Sequence, residues 1–354
     1  MSVTDQHKEE FDVGHEPKDR AALPVSDPRR CGYAEPIDAI VLAGTHTNPR
    51  RLVGGINKAF LTMADRPLVR HVVDALVEAR TIAEIFVVGP VDSLGPALQG
   101  TPSEVRMVQQ EGKMLANGWA AIYASESRHF NEDQAAVHDR PLLIISCDLP
   151  LISSRAIDDF VCQCADEDRA ASEPFAMQVG VVDEPGVAPF HPSAGQQGIE
   201  RPFVETDFGR LRLANIYVAR PRRLAHQEFL QTGFSYRKAK DWRNVLHLVF
   251  SLFRQHGGWA AAWMTVRLQL TLWSRKFSPR LYRRLRKGNS RARIERCTGT
   301  VLGGSIRIVT SPFGGLSLDV DDEEDYRILQ ERYEDWMAIH EATGVQEQHT
   351  GSDS

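Results

Sequence analysis

A run of apolar, strand-forming residues that passes into a glycine-bearing loop closed by one lysine constrains this chain most. Ile37 to Leu61 reads IDAIVLAGTHTNPRRLVGGINKAFL. The order is a buried-type strand, a Gly-rich loop with arginines, then Lys58, which is the outline of a nucleoside triphosphate site. Such a loop can wrap polyphosphate with backbone N–H groups while Arg50 or Arg51 and Lys58 supply fixed positive charge to its oxygens. Taken alone, the segment reads equally as an ordinary strand followed by a mobile loop, because Gly-rich turns after strands are common in α/β proteins.

Two later segments place acids where metal-dependent phosphoryl chemistry wants them. In PLLIISCDLPLIS, Pro141 to Ser153, the apolar run ends at Asp148. That puts the carboxylate at the carboxyl end of a central strand, the usual ligand edge of an open α/β sheet. In LSLDVDDEEDYRIL, Leu316 to Leu329, Asp319 and Asp321 lie two apart on a strand-like stretch, and Asp322 onward opens an acidic helix start. Each aspartate singly reads as a helix cap or turn residue. Together with a lysine-closed loop, carboxylates at two strand ends read as a Mg²⁺ site.

With these segments in view, the chain resembles the MobA-like NTP transferases, nucleotidyltransferases of GT-A type fold. Leu42, Ala43 and Gly44 match the start of that family's glycine-rich signature, and Asn57-Lys58 stands where the family has Pro-Lys. ADRPLVRHVVDAL, Ala64 to Leu76, is similar to its turn and first helix, EIFVVGP, Glu84 to Pro90, to its second strand, and SCDLPLIS to its metal-binding strand end. DVDDEEDY, Asp319 to Tyr326, is similar to its closing acidic motif. The likeness covers roughly residues 36 to 232 and 300 to 335. It implies an α/β, Rossmann-like GT-A nucleotidyltransferase fold with a mostly parallel central sheet, here interrupted by a basic helical insertion.

The resemblance also implies roles. An acceptor oxygen attacks the α-phosphorus of an NTP and expels pyrophosphate, with Mg²⁺ as cofactor. Asp148 and Asp321 hold the metal, with Asp319 the alternative to Asp321. Lys58 offsets charge on the phosphates, Arg50 or Arg51 steadies the leaving pyrophosphate, and Gly54 and Gly55 give close backbone approach before Lys58. In this family a glycine directly follows Gly44 and a compact loop ends in Arg. Here Thr45, His46, Thr47, Asn48 and Pro49 intervene, so the loop is diverged and its path and phosphate-contacting arginine stay open.

Hydrophobic periodicity supports the same organisation. Leu68, Val72, Ala75, Leu76 and Ala79 recur at helical spacing, and Glu84 to Val88 and Leu142 to Ile145 read as further strands. EGKMLANGWAAI, Glu111 to Ile122, sets a Gly-Lys pair ahead of a helix, so Lys113 and Asn117 are candidates for the nucleotide's base side. The alternative is a surface helix start, and the segment is not a P-loop. RPFVETDFGRLRLANIYVA, Arg201 to Ala219, reads as a hairpin turning at Asp207 to Gly209. Its Asn215 is a candidate acceptor contact or a buried asparagine satisfying backbone.

Composition suits a soluble enzyme, with 42% hydrophobic residues in 354, enough for a substantial core. The first 34 residues are polar and dotted with proline and are expected to be disordered, and 337–354 to be a C-terminal tail. No targeting signal is evident. Five cysteines, an odd number without paired CxxC spacing, point to a reduced cytoplasm. Cys162 and Cys164 face different ways on a helix, which argues against zinc. The expected units are therefore 35–232 with 299–336 as the transferase domain and 233–298 as the insertion.

That insertion is the unusual part. Ser235 to Arg296 holds 16 Lys or Arg against Asp241 and Glu295, a net of +14 in a chain that totals −5. It also carries Trp242, Trp259, Trp263 and Trp273, and WRNVLHLVFSLF suits an amphipathic helix. Three readings follow. A helical subdomain packs its tryptophans on the catalytic domain and solvates its arginines. Alternatively, the segment makes peripheral contact with an anionic membrane at the inner face, for a lipid-linked acceptor. Nucleic acid is the least favoured partner, since no binding module is visible. Arg237, Lys238 and Lys240 are candidates for capturing an acceptor phosphate. A GT-A glycosyltransferase shares this sheet and metal logic, although Lys58 after a Gly-rich loop argues against it. A catalytically silent nucleotide-binding or membrane-recruitment module on the same fold is the remaining alternative.

Overall fold

Ile37–Leu42 forms the leading strand, β1, and all of its residues except Leu42 are buried. The computed structural model describes residues 31–44, 52–193, 195–227 and 258–350. Arg50, Arg51, Arg237, Lys238 and Lys240 lie outside the described residues, as does the segment WRNVLHLVFSLF. So do all but residues 31–34 of the expected disordered N-terminal tail.

Seven further strands complete one eight-stranded sheet. They are β2 (Ile82–Gly89), β3 (Val105–Gln109), β4 (Leu142–Ser146), β5 (Met177–Asp183), β6 (Val204–Thr206), β7 (Gly209–Ala219) and β8 (Ile306–Ser311). Their order is β8-β5-β7-β4-β1-β2-β3, with β6 on β7. β1 pairs in parallel with β2 and β4, β2 with β3, and β8 with β5, whereas β7 runs antiparallel between β4 and β5. The hairpin read around Asp207 is formed by β6 and β7, with Thr206 paired to Gly209. The expected mostly parallel α/β sheet is therefore present, and β1 and β4 lie at its centre.

Successive residues of β1 serve opposite faces, as a strand requires. Ala39 and Val41 join a core with α1 (Leu68–Glu78), whose Val69, Val72, Val73 and Leu76 are buried, and with Phe160 and Val161 of a long helix, Ser154–Ala170. Each such buried aliphatic side chain contributes about 2 kcal/mol. On the other face Ile40 and Phe86 meet Ala121 and Ile122 of a helix at Met114–Glu126. With the latter as α2 and Ser154–Ala170 as α3, the sheet is covered on both sides.

The second face is shared with the insertion. Gly258–Phe277 (α4), Pro279–Lys287 (α5) and Arg291–Leu302 (α6) confirm that its described part is helical. α6 runs beyond the boundary expected at 298 and ends at Gly303, which takes the left-handed conformation at φ +67°. Leu302 packs with Met177, Tyr217 and Leu224, and Val266 of α4 rests on that cluster. No helix among the described residues is long and apolar enough to cross a membrane.

Three expectations need correction. The stretch at Asp319 and Asp321 is not a strand. Gly314–Ser317 forms a 3₁₀ turn in which a Cβ on Gly315 would meet Leu151 O at 2.6 Å, and the chain then crosses the end of β4, where Val320 N donates to Asp148 O at 3.1 Å. The tail expected from 337 is instead the continuation of α7 (Glu323–Thr350), held down by buried Trp336 and His340. Residues 31–34 are anchored as well. Cys31 is joined to Cys162 by a disulfide, with Cα atoms 5.2 Å apart, and Tyr33 Oη donates to Asp168 Oδ2 at 2.8 Å. An odd cysteine count leaves room for a pair, and β1 brings residue 31 alongside α3, so the expected fully reduced state does not hold here.

Candidate active site

Lys58 is set in place by its neighbour. Asn57 Nδ2 donates to Ala43 O at 3.2 Å while its Oδ1 accepts from Ala59 N at 3.2 Å. The asparagine thereby fastens the short 3₁₀ turn Lys58–Phe60 to the end of β1. Lys58 is buried, and its Nζ donates to Val320 O. It lies 3.5 Å from Asp148 Oδ2 and 3.7 Å from Asp321 Oδ1. Three segments far apart in sequence converge on this ammonium.

The carboxylates crowd one another. Burial and then the negative charge of Asp319 push the Asp148 carboxyl above its ordinary range, while Lys58 and a hydrogen bond from Ser146 Oγ act in the opposite direction. Asp319 and Asp321 are further held by Arg201, whose Nη1 binds Asp319 Oδ1 and lies 3.0 Å from Asp321 Oδ2, and whose Nη2 binds Asp325 Oδ2. Burial alone would lower the Arg201 pKa, but the three carboxylates outweigh it and raise it. Behind it Arg212, buried and next to Arg201, is pulled down to about 10, with Nη2 donating to Ser317 O at 2.7 Å. Arg201 and Arg212 carry no sequence signal of their own, and Asp325 has only its place in the closing acidic motif. Arg201 precedes Asp319 by 118 positions, so only the fold reveals the pair.

Among the described residues no group of three or more His, Cys, Asp or Glu side chains is disposed to hold a metal ion. The donor set at this edge is nonetheless three carboxylates, the hard oxygen ligands that Mg²⁺ takes.

A cleft of about 270 Å³ opens beside these groups. Leu42, Gly44, Asn57, Lys58, Asn117, Asp148, Asn215 and Asp319 all line it. Ala43 is buried behind the wall. Gly44 lets Asn117 approach closely, since a Cβ there would meet Asn117 Nδ2 at 2.7 Å and oblige that side chain to shift. Asn117 Oδ1 accepts from Glu111 N at 2.6 Å, which fixes the approach to α2. Asn215 sits where the pairing of β7 with β5 shifts register between Leu213 and Tyr217. Such irregularities re-aim side chains at sheet ends.

Other sequence candidates fall outside the cleft. Lys113 is exposed, one residue before α2, and does not line it. Gly54 and Gly55, at φ +55° and +80°, form the turn of a tight hairpin between Leu52–Val53 and Ile56–Asn57. Two successive positive φ angles explain the Gly-Gly pair. Gly54 N donates to Glu323 Oε1 at 3.1 Å, so the hairpin is fastened to the start of α7.

A MobA-like NTP transferase domain is matched by residues 39–193. The match contains Lys58 and Asp148 and ends before Arg201, Asn215, Asp319 and Asp321. Among curated proteins none matches the chain. Among solved structures, a hypothetical transferase from Thermus thermophilus is similar at 22% identity, over 82% of this chain and 98% of that one, with a TM-score of 0.49. A 4-diphosphocytidyl-2C-methyl-D-erythritol synthase from Anaerococcus prevotii is similar at 9% identity, over 85% and 96%, with a TM-score of 0.41. Both likenesses are too distant to bear on substrate.

Proposed function

We propose that this chain, whose residues 39–193 match a MobA-like NTP transferase domain, moves a nucleoside monophosphate from an NTP to a phosphorylated acceptor and releases pyrophosphate. The observation that carries the reading is the buried Lys58 ammonium between Asp148 and Asp321 at the mouth of a cleft. An oxygen of the acceptor phosphate forms a bond to the α-phosphorus as the bond to the β-phosphate oxygen breaks, and the electron pair leaves with pyrophosphate. Asp148, with Asp321 or Asp319, would hold Mg²⁺. When bound, the ion would offset charge on the triphosphate oxygens.

Lys58 stabilises negative charge developing on the same phosphates, and Arg50 or Arg51 steadies the leaving group. Gly44 and Asn117 face the base side, and Asn215 faces the acceptor. A phosphate monoester has a second pKa of about 6, so it reaches the site ionised and needs no general base. This fits an edge without a catalytic histidine among its described residues. The basic segment 235–296 is the part suited to an anionic membrane surface, at the inner face of a cytoplasmic protein's membrane.

The test is calorimetric binding of ATP, CTP, GTP and UTP with Mg²⁺, set against Lys58→Ala and Asp148→Ala. Tight, base-selective binding lost in both variants is expected. No binding to any NTP would sink the transferase reading. The silent-module reading gains one observation, that Lys58 already donates to Val320 O. Intact NTP binding without pyrophosphate release across a panel of phosphorylated acceptors would favour it.

A further inference from the structure

The cleft extends well past the carboxylates. From Asp148 it runs back along β4 and β7, past Ile144 and Tyr217, to Ala219, Pro221 and Leu224. Ile144 is paired with Tyr217 and Leu142 with Ala219. Leu142 stands six residues before Asp148, so at about 3.3 Å per residue the far wall lies roughly 20 Å from the carboxylate. Charged lining side chains, Lys58, Asp148 and Asp319, are confined to the near end. At the far end the amide of Gln227 is committed to the protein. Its Oε1 accepts from Trp119 Nε1 at 2.7 Å and its Nε2 donates to Pro221 O and Leu224 O at 2.7 and 3.1 Å. That end therefore offers apolar walls and little polar recognition, which suits hydrocarbon.

A second observation adjoins it. Trp259, Trp263, Leu270, Trp273 and Phe277 of α4 are 71%, 60%, 42%, 60% and 67% exposed. Their spacing places all five on one narrow stripe of the helix. From Trp259 to Phe277 the stripe spans about 27 Å at 1.5 Å per residue. On the next helix Arg280, Arg284 and Lys287 are exposed and have no carboxylate partner among the described residues. The side of α4 turned from the stripe is buried through Met264, Thr271 and Ser274. Val266, on the stripe itself between Trp263 and Leu270, rests on the cluster of Leu224, which lines the far end of the cleft. Exposed aromatic residues on one helix and exposed basic residues on the next, without carboxylate partners among the described residues, match the interface of an anionic bilayer.

We propose that the acceptor is a phosphate monoester carried on an apolar chain, drawn from an anionic bilayer against which the α4 stripe lies, with its chain in the cleft and its phosphate at Asp148. The proposal rests on the nucleotidyl-transfer reading and names that reading's acceptor class.

The test compares decyl phosphate with glycerol 3-phosphate by calorimetry in the presence of Mg²⁺ and the NTP that binds. Decyl phosphate is expected to bind at least about tenfold tighter, the worth of roughly two buried methylenes. Gly118→Leu, at a lining helical position where a Cβ meets nothing within 4 Å, is expected to abolish that preference and leave NTP binding within twofold. Equal binding of the two phosphates overturns the proposal while the NTP result stands. Loss of NTP binding in Gly118→Leu also overturns it, by assigning the cleft to the base. Ile144→Thr keeps a β-branched strand residue and serves as the second cleft variant, with the same expected loss of chain preference.

For the source of the acceptor, sedimentation with phosphatidylcholine vesicles containing phosphatidic acid is compared between wild type and the Trp263→Ser/Trp273→Ser double variant. At least a fivefold loss is expected in the variant. Unchanged sedimentation overturns the role of the stripe. So does a protein that is dimeric as wild type and monomeric as the double variant, since a second copy then covers the stripe.

Discussion

The Lys58 ammonium lies 3.5 Å from Asp148 Oδ2, and both groups are buried. Each makes the other tolerable, because Lys58 lowers the pKa of a carboxyl that burial and Asp319 raise. Lys58→Met is expected to destabilise the fold by about 3 kcal/mol, since it leaves the buried Asp148 carboxylate without its neighbouring cation. It should also weaken Mg²⁺–NTP binding about 30-fold, the worth of one charge-assisted contact of about 2 kcal/mol. Urea titration and calorimetry read the two effects.

Asp148→Asn should separate stability from function. Burial first and Asp319 second raise this carboxyl's pKa and together outweigh Lys58, so removing the charge should leave unfolding at equal or higher urea. Mg²⁺-dependent NTP binding should fall at least tenfold in the same protein. A clear loss of stability would show that the carboxylate is needed structurally.

Arg201 gathers Asp319, Asp321 and Asp325 with little of its own side chain exposed. Arg201→Met is expected to cost about 3 kcal/mol, because it leaves three carboxylates with one fewer counter-charge. Stability of this variant should recover partially in millimolar Mg²⁺, where a cation can replace the lost charge. Thermal melts with and without Mg²⁺ measure that recovery against the wild type.

His340 predicts an acid limb. Burial against Phe313 lowers its pKa from 6.5 to about 4. A group with a depressed basic pKa is neutral in the folded state, so its contribution is full above pH 6.5 and declines as pH falls towards 4. The decline amounts to about 3 kcal/mol across that window. His340→Leu should flatten it in urea titrations at pH 7.5, 5.5 and 4.5.

The Cys31–Cys162 bridge closes a separation of 131 residues. Reduction, or Cys31→Ser, is expected to lower stability by about 3 kcal/mol. The Cys31→Ser variant should show no further change on adding reductant.

The sheet and its ligand edge were legible because their signals are local. The apolar strands β1 and β4 reveal themselves over a few residues each, the second running out at Asp148, and Lys58 lies near both Asp148 and Asp321. What resisted sequence reading is non-local. Arg201 is recognisable only once the fold sets it beside Asp319. Gly54 and Gly55 satisfy a hairpin turn, which demands the same residue type as a phosphate-binding loop. For the insertion, inward-packed tryptophans with solvated arginines were one of three readings, beside contact with an anionic membrane and with nucleic acid. In the structure Arg275, Arg286 and Arg291 reach Glu205, Thr206 O and Glu167, while Trp259, Trp263 and Trp273 face outward. Amphipathic spacing identifies two faces without saying which one the rest of the chain will cover.

Lys58 donates to the carbonyl of Val320, 262 positions further along the chain. During synthesis, the lysine therefore leaves the ribosome long before its partner has been made. A nascent chain can form β1, α1 and even β4 without assembling a charge-balanced centre. The centre comes into being only after the basic helices have also emerged, so an interrupted translation product is left with an incomplete edge. Timing is thus built into the connectivity, and the charge-balanced centre waits for the segment that carries Asp319 and Val320.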